Sequence, residues 1–209
     1  RNPRPGEITL AHRGVLFLDE MPEFSRRSLE ILRQPLEDKV IRISRVYGTY
    51  DFPADFMLCA AMNPCPCGHY PDMNRCRCTP AQVMQYLGRI SQPLLDRLDL
   101  CAEVSPVDFE GLSSGRKGES TQTIRERVIC AQDIPRERYK IEGIQFNGEL
   151  SGAQIEKYCK MEKDARQLLK MAFQNMPFSA RAYHRILKVA RTIADMEATE
   201  SIHRHHIAE

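Results

Sequence analysis

The sequence has no long hydrophobic run and no large excess of charge of either sign. No apolar stretch approaches the roughly 18 residues that a helix needs to span a bilayer. The chain does not open with a secretory leader, which would have a charged start followed by an apolar segment. We therefore expect a cytoplasmic protein with no membrane partner. Lys and Arg total 30 against 28 Asp and Glu, so any binding to nucleic acid has to come from a local basic patch.

The chain also lacks internal repeats and the small size of a disulfide-stapled domain. With 209 residues, of which 42% are apolar, it can bury one sizeable core or a core with a small satellite domain. Its eight cysteines therefore do not imply a secreted disulfide framework. In a reducing compartment they are core residues, metal ligands or redox groups.

Two short apolar runs in the first half of the chain end in polar residues. Residues 15–18 run directly into Asp19 and Glu20, and residues 56–62 end at Asn63. Such continuous runs are typical of strands buried on both faces of a parallel sheet. Because ligands bind at the carboxyl ends of such strands, these side chains form a candidate nucleotide site, with one carboxylate holding Mg²⁺ and the other orienting water. The alternative is an ordinary strand that enters a polar loop.

Further elements follow between and after these runs. Residues 25–38 predict a helix with Ser25 as N-cap and a kink or end at Pro35. Residues 39–52 alternate like strands and predict a β-hairpin, with a turn at Gly48 and Thr49. Residues 98–107 predict a third short strand.

The second half of the chain reads as helical. Residues 108–120 form a Gly- and Ser-rich linker candidate, so we place a domain boundary near residue 115, with an α/β part over 1–114 and an all-α part over 115–209. Helices are predicted within 120–134, 151–176 and 179–198. The last has Ser179 as N-cap, and its predicted apolar face comprises Ala182, Ile186, Val189, Ile193 and Met196.

Four cysteines form two closely spaced pairs in one polar loop, Cys65 with Cys67 and Cys76 with Cys78. Their number and clustering suit a tetrahedral zinc site, although C-x₂-C is the commoner spacing. His69 is an alternative ligand, and two short disulfides are the oxidised alternative. The "HRHH" segment at 203–206 is interpreted as a solvated helix end. The other cysteines, expected in the core, are Cys59, Cys101, Cys130 and Cys159.

Four segments together resemble a known family. They are "PGEITLAHRGVLFLDEMPEF", "AAMNPCPCG", "LLDRLDL" and "SARAYHRILKVARTIADME". In this order they are similar to the magnesium-chelatase-like AAA+ ATPases of bacteria, within that family to the ComM (YifB) type, and the resemblance runs from about Pro5 to the end. It implies part of an AAA+ P-loop NTPase core, with parallel strands and a β-hairpin, followed by a helical lid.

The resemblance also implies roles for individual residues at an ATP and Mg²⁺ site. Asp19 and Glu20 match the Walker B pair, and Asn63 matches sensor 1. Arg97 matches the arginine finger that reaches the phosphate bound by a neighbouring subunit, and Arg181 matches the sensor-2 residue of the lid.

Two of these assignments have plainer alternatives. For Arg97 the alternative is a helix-end salt bridge to Asp96 or Asp99. For Arg181 the alternative is a solvated residue in the first turn of its helix.

One motif of the family is absent from these residues. The phosphate-binding loop G-x-x-x-x-G-K-[ST] does not occur, since "GLSSGRKGES" has the wrong spacing. In the family this loop precedes Walker B. We therefore expect it to stand before Arg1, and we expect this fragment to be inactive by itself.

For the intact protein the resemblance implies an ATP-driven motor on DNA, a homo-oligomeric, hexameric ring that acts in branch migration during recombination or natural transformation. Lys39, Arg42 and Arg45 of the hairpin are the candidate contacts to DNA phosphates; the alternative is a solvated hairpin whose charges prevent aggregation. One rival function is a chelatase-like ATPase that remodels a protein partner. The other is a non-enzymatic zinc module that binds nucleic acid.

Overall fold

The computed structural model describes residues 3–46, 48–105, 107, 109, 113, 118–176 and 178–209. It contains two compact units, Arg1–Leu100 and Cys101–Glu209. The predicted boundary near residue 115 and most of the predicted linker over 108–120 lie outside the described residues, and that boundary stays a prediction.

The first unit is a mixed α/β structure. Its elements in chain order are α1 (Glu7–Leu10), β1 (Val15–Leu18), a 3₁₀ turn (Met21–Glu23), α2 (Arg26–Ile31), α3 (Arg33–Asp38), β2 (Val40–Arg45), β3 (Gly48–Pro53), β4 (Met57–Ala60), α4 (Pro80–Leu87) and α5 (Gln92–Leu95).

The two predicted apolar runs form strands that pair in parallel. β1 lies beside β4, with Leu18 opposite Ala60, and β4 is shorter than the predicted run over 56–62. The expectation that β1 is buried on both faces is wrong for the described structure, since Val15 and Phe17 are 53% and 57% exposed. The described elements cover one face only.

The core of this unit lies on the covered face of β1. Leu16 and Leu18 point into it, and α2 and α5 pack against them. Burial of such side chains contributes roughly 1.5–3 kcal/mol each. The buried members are Met21, Leu29, Leu32, Ile90 and Leu94.

The predicted helix over 25–38 is present but divided. Ser25 is its N-cap, as predicted, and accepts a hydrogen bond from the Ser28 N–H at 3.1 Å. The helix is interrupted at Leu32 and not at Pro35, which lies inside α3. Because proline has no N–H to bond the carbonyl four residues earlier, the interruption falls in the turn before it.

The predicted hairpin is confirmed. β2 and β3 pair antiparallel, with Arg42 opposite Asp51. Gly48 opens β3 rather than forming the turn, so the predicted turn position is wrong. The third predicted strand, over 98–107, is also wrong for its described residues, 98–105 and 107, which form no ladder.

The second unit is helical. Its elements are α6 (Thr121–Arg138), two 3₁₀ turns (Lys140–Glu142 and Asn147–Glu149), α7 (Gly152–Tyr158), α8 (Lys163–Asn175), α9 (Ala180–Met196) and α10 (Arg204–Ala208). The single helix predicted over 151–176 is divided into α7 and α8. Between them Met161 forms a parallel bridge with Ile202, and this tertiary contact takes precedence over helix continuity.

Helix α9 begins after Ser179, which caps it as predicted by accepting the Ala182 N–H at 3.1 Å. The predicted apolar face is confirmed only in part, since Ile186 packs against the helical core but Met196 is 52% exposed. The buried stripe is rotated around the helix relative to the predicted face, because it includes the charged residues Arg191 and Asp195. It comprises Leu187, Ala190, Arg191, Ala194 and Asp195.

The charged residues are buried because they satisfy one another. Asp195 accepts hydrogen bonds from Arg138 at 3.0 Å, from Arg191 at 3.2 Å and from the Asn147 amide at 2.8 Å. The Tyr139 hydroxyl donates to Asn147 at 2.7 Å. This polar network joins α6 to α9 and fixes which side of each helix faces the other.

Most of the cysteines expected in the core are not buried. Cys159 lies in the helical core and is 5% exposed, but Cys59, Cys101 and Cys130 are exposed. Their apolar neighbours in sequence lie on surfaces that no described element covers. Among the described residues, every helix is too short or too polar to cross a bilayer.

Candidate nucleotide and metal sites

Asp19, Glu20 and Asn63 follow the carboxyl ends of two adjacent parallel strands. The pairing continues past the strands, since the Ala61 N–H donates to the Leu18 carbonyl at 2.9 Å and the Met21 N–H donates to the Ala61 carbonyl at 2.9 Å. All three candidate side chains are therefore at the same edge of the sheet, and all three are exposed. Carboxylate and amide oxygens exposed together suit a hydrated Mg²⁺ ion.

Glu20 has a strained backbone. Its φ of 50° and ψ of 46° lie in the left-handed region, which non-glycine residues rarely adopt. The Asp19 carboxylate accepts the Glu20 N–H at 3.0 Å. Strain of this kind costs about 1–3 kcal/mol and collects at functional sites. Arg13, Lys39 and Ala198 share this conformation, so it agrees with the assignment of Glu20 but does not single it out.

Tyr86 lies close to this site, as the causes of its pKa shift indicate, and it was not predicted from the sequence. It is 4% exposed on α4. Burial raises the pKa of its phenol, a backbone hydrogen bond from Asn63 opposes that rise, and the charges of Glu23 and Glu20 add to it. The only available sequence signal was its helical spacing from Val83, which equally describes an ordinary core tyrosine.

Arg97 is held within its own unit. It donates to the Pro93 carbonyl at 2.6 Å and forms a short ion pair with Glu37 at the end of α3. Its side chain is 13% exposed. The helix-end salt bridge to Asp96 or Asp99, considered from the sequence, is replaced by this longer-range pair.

Arg181 lies in the second unit, in the first turn of α9, and is exposed. The sequence predicts that Arg181 contacts a nucleotide bound at the first unit, and this role stays a prediction.

The hairpin carries the three basic residues predicted to contact DNA, but two of them have carboxylate partners. Lys39 pairs with Asp55 at 3.1 Å. Arg42 donates to both oxygens of Asp51 at 2.9 and 3.1 Å, and this contact lowers the pKa of Asp51. Arg45 is exposed at the end of β2. The hairpin is therefore less basic than its sequence suggests.

The four loop cysteines converge on one point. Their sulfur atoms all lie within 4.8 Å of one another. The Sγ atom of Cys65 lies 3.4 Å from that of Cys67 and 3.8 Å from that of Cys76, and Cys67 and Cys76 are 3.6 Å apart. All four are free thiols.

Backbone N–H groups surround the first cysteine pair. Those of His69 and Arg77 lower the pKa of Cys67 to about 6. Burial disfavours the Cys65 thiolate, but the N–H groups around it, including that of Tyr70 at 3.4 Å, lower its pKa. Burial raises the pKa of Cys78 to about 12. The His69 side chain is not part of the cysteine cluster, and its role as an alternative ligand stays a prediction.

A second cluster of potential ligands contains Glu197, His205 and His206. His206 is 2% exposed, so the interpretation of residues 203–206 as a solvated helix end is wrong for this side chain. Its Nδ1 accepts the His203 N–H at 2.9 Å, and its Nε2 lies 3.0 Å from Glu197. Because Nδ1 is the acceptor, Nε2 carries the proton and donates to Glu197. The cluster is thus a hydrogen-bonded structure without a free nitrogen for a metal at His206.

Comparison with known families defines the class of protein. The family described as "Magnesium chelatase, subunit ChlI" matches residues 1–112, and "Magnesium chelatase, subunit ChlI C-terminal" matches residues 118–209. The chain belongs to the magnesium chelatase ChlI family, as its motifs predicted.

Individual relatives identify the branch of the family. The chain is 47% identical over 209 residues to the uncharacterized protein YifB of Salmonella typhimurium, covering 99% of this chain and 40% of YifB. It is 46% identical over 208 residues to the competence protein ComM of Haemophilus influenzae, with coverages of 99% and 40%. An uncharacterized protein of Mycobacterium tuberculosis is 40% identical over 198 residues, with coverages of 95% and 39%. The chain thus spans about 40% of the length of the curated relatives that it matches.

Proposed function

We propose that this chain is part of an ATP-driven motor that acts on DNA. The observation that carries the proposal is the parallel pairing of β1 with β4. It brings Asp19 and Glu20 to the same sheet edge as Asn63, the position at which α/β proteins bind nucleotides. The membership of the magnesium chelatase family supports an ATPase-related site.

In this proposal each residue has a separate chemical role. Asp19 holds Mg²⁺ through its hydration shell, and the ion neutralises charge on the transferred phosphoryl group. Glu20 orients and deprotonates the attacking water. Asn63 fixes that water from the neighbouring strand, and the buried Tyr86 hydroxyl holds the Asn63 backbone in place.

The active unit is proposed to be a ring in which each ATP lies between two subunits. Arg97 of one subunit neutralises phosphate charge at the site of the next, a contribution worth 10³–10⁵ in rate for arginine fingers generally. Arg181 contributes from the helical unit of the subunit that binds ATP. We propose a hexamer, following the resemblance of the motifs.

DNA as the substrate is supported by two observations. One of the relatives is named a competence protein, and the hairpin presents the exposed Arg45 at the end of β2. Lys39 and Arg42 are proposed to exchange their carboxylate partners for phosphates, which would make binding electrostatic and independent of sequence. Recombination of incoming DNA by branch migration is the corresponding process.

The test is ATP-dependent displacement of a labelled strand from branched DNA by the complete protein. We expect displacement with ATP, none with a non-hydrolysable analogue, and none with Glu20→Gln. Glu23→Gln is the matched control, since Glu23 lies in the same turn but pairs with Arg89 at 3.0 Å. Displacement that survives Glu20→Gln would contradict the assigned role.

A second candidate is a chelatase-like ATPase that remodels a protein partner. The family match favours it, because the family takes its name from magnesium chelatase. Hydrolysis that depends on Glu20 but does not respond to DNA would support this function over the DNA motor.

A further inference from the structure

We infer that Cys65, Cys67, Cys76 and Cys78 bind one Zn²⁺ ion that holds the loop following Asn63. Zn–S bonds of about 2.3 Å in a tetrahedron place the sulfur atoms about 3.8 Å apart. The separations of 3.4, 3.6 and 3.8 Å among Cys65, Cys67 and Cys76 are close to this value. The thiols are therefore arranged around a volume that one tetrahedral ion fits.

The loop has no other means of forming a core. Of residues 64–79, all of which the structure describes, only Cys65, Cys76 and Cys78 are not exposed. The apolar side chains in the loop point outward, with Tyr70 44% and Met73 72% exposed. A 16-residue segment without buried apolar side chains needs a cross-link to keep one conformation, and a structural zinc ion provides one.

Two alternative uses of the cysteines fit less well. A disulfide needs sulfur atoms about 2.05 Å apart, whereas Cys65 and Cys67 are separated by 3.4 Å. An iron–sulfur cluster of two or more iron atoms has its cysteines on different metal atoms. Four sulfur atoms that all lie within 4.8 Å of one another instead fit a single ion.

The ion would act next to the proposed catalytic residues. Cys65 is two residues beyond Asn63, and its carbonyl accepts the Gly68 N–H at 3.0 Å. Gly68 has a φ of 79°, and a methyl group placed on it would lie 3.9 Å from the Asn63 side-chain amide. The loop backbone therefore lies beside the Asn63 side chain, and we expect the zinc ion to position Asn63 through it. This step rests on the proposed function, whereas the zinc site itself does not.

The experiment is metal analysis of the complete protein, purified without metal-affinity resin and under reducing conditions. We expect about one zinc ion per chain in the wild type and in Cys59→Ser, whose thiol is exposed on β4 outside the loop. Cys65→Ser and Cys76→Ser should lose the ion. Iron in place of zinc, or a metal-free wild type, would overturn the assignment.

A second measurement keeps the inference testable if the cysteine variants do not fold. Wild-type protein refilled with Co²⁺ should show thiolate-to-cobalt charge-transfer bands and the d–d bands of a tetrahedral site; an octahedral spectrum would overturn the assignment. Zinc removal should also lower ATP hydrolysis. Undiminished hydrolysis after removal would overturn the positioning of Asn63 but leave the zinc site standing. A wild type that binds zinc without hydrolysing ATP would overturn the proposed function instead.

Discussion

Arg97, in the turn after α5, forms an ion pair with Glu37 of α3, 60 residues away in sequence. The pair keeps the Arg97 side chain largely buried, at 13% exposure, while Glu37 remains half exposed. In the proposed ring the same guanidinium has to reach a phosphate of the neighbouring subunit. The carboxylate of Glu37 and that phosphate therefore compete for one cation. Because Glu37 lies just before the hairpin, the pair also connects the proposed DNA contact to the proposed arginine finger.

The first prediction concerns release of this arginine. Glu37→Gln should raise DNA-independent ATP hydrolysis by the complete protein several-fold, because the amide holds Arg97 less strongly than the carboxylate does. Arg97→Ala should lower hydrolysis about 10³-fold. Steady-state ATPase assays without DNA measure both changes.

The matched control is Glu119→Gln, whose carboxylate is 50% exposed and pairs with Arg127 at 3.0 Å in the helical unit. It should leave hydrolysis unchanged. If Glu37→Gln lowers hydrolysis as Arg97→Ala does, Glu37 positions the arginine and does not restrain it.

The second prediction tests the role of Tyr86. Tyr86→Phe removes the hydroxyl that a backbone hydrogen bond from Asn63 reaches. A loss of about 1.4 kcal/mol in transition-state stabilisation corresponds to a tenfold lower kcat, with little change in KM. Tyr50→Phe on the hairpin should have no effect. Equal kcat values for Tyr86→Phe and the wild type would remove Tyr86 from the site.

The third prediction concerns the charge of the hairpin. Asp51→Asn removes the carboxylate that binds both guanidinium nitrogens of Arg42. If Arg42 contacts a DNA phosphate, its release from Asp51 should strengthen DNA binding. The slope of log affinity against log salt concentration should become steeper by about one. Fluorescence anisotropy with labelled DNA at several salt concentrations measures this. If Asp51→Asn, Arg42→Ala and Arg45→Ala all leave the affinity for DNA unchanged, the alternative is favoured, in which the hairpin is solvated and its charges prevent aggregation.

The fourth prediction concerns stability of the helical unit. Asp195→Asn leaves the guanidinium groups of Arg138 and Arg191 without their buried carboxylate, which should cost about 3 kcal/mol of unfolding free energy. Asp133→Asn breaks an exposed pair with Arg136 and should cost less than about 0.5 kcal/mol. Chemical denaturation of both variants measures the difference. Equal midpoints would show that the network adds nothing to stability.

Local patterns were sufficient to predict several elements. The apolar runs ending at Asp19 and Asn63 became the adjacent strands β1 and β4, and the alternation over 39–52 became the hairpin. Ser25 and Ser179 were recognised as N-caps because capping depends on one side chain and the next turn. The cysteine cluster followed from spacing alone.

Long-range contacts account for most of what was missed. The buried face of α9 was predicted from apolar spacing, but Arg191 and Asp195 are buried because Arg138 and Asn147 meet them from elsewhere in the chain. Glu37 could not be paired with Arg97 from sequence, since no local rule joins α3 to the turn after α5. His206 was assigned to solvent because its partner Glu197 is not its sequence neighbour on the helix.

The most direct test of the account is steady-state ATP hydrolysis by the complete protein, with and without single-stranded and branched DNA, beside Glu20→Gln. The account predicts hydrolysis that DNA stimulates and that Glu20→Gln abolishes, while Glu23→Gln retains it. Absence of hydrolysis in the wild type under all these conditions, or stimulated hydrolysis that persists in Glu20→Gln, would contradict it.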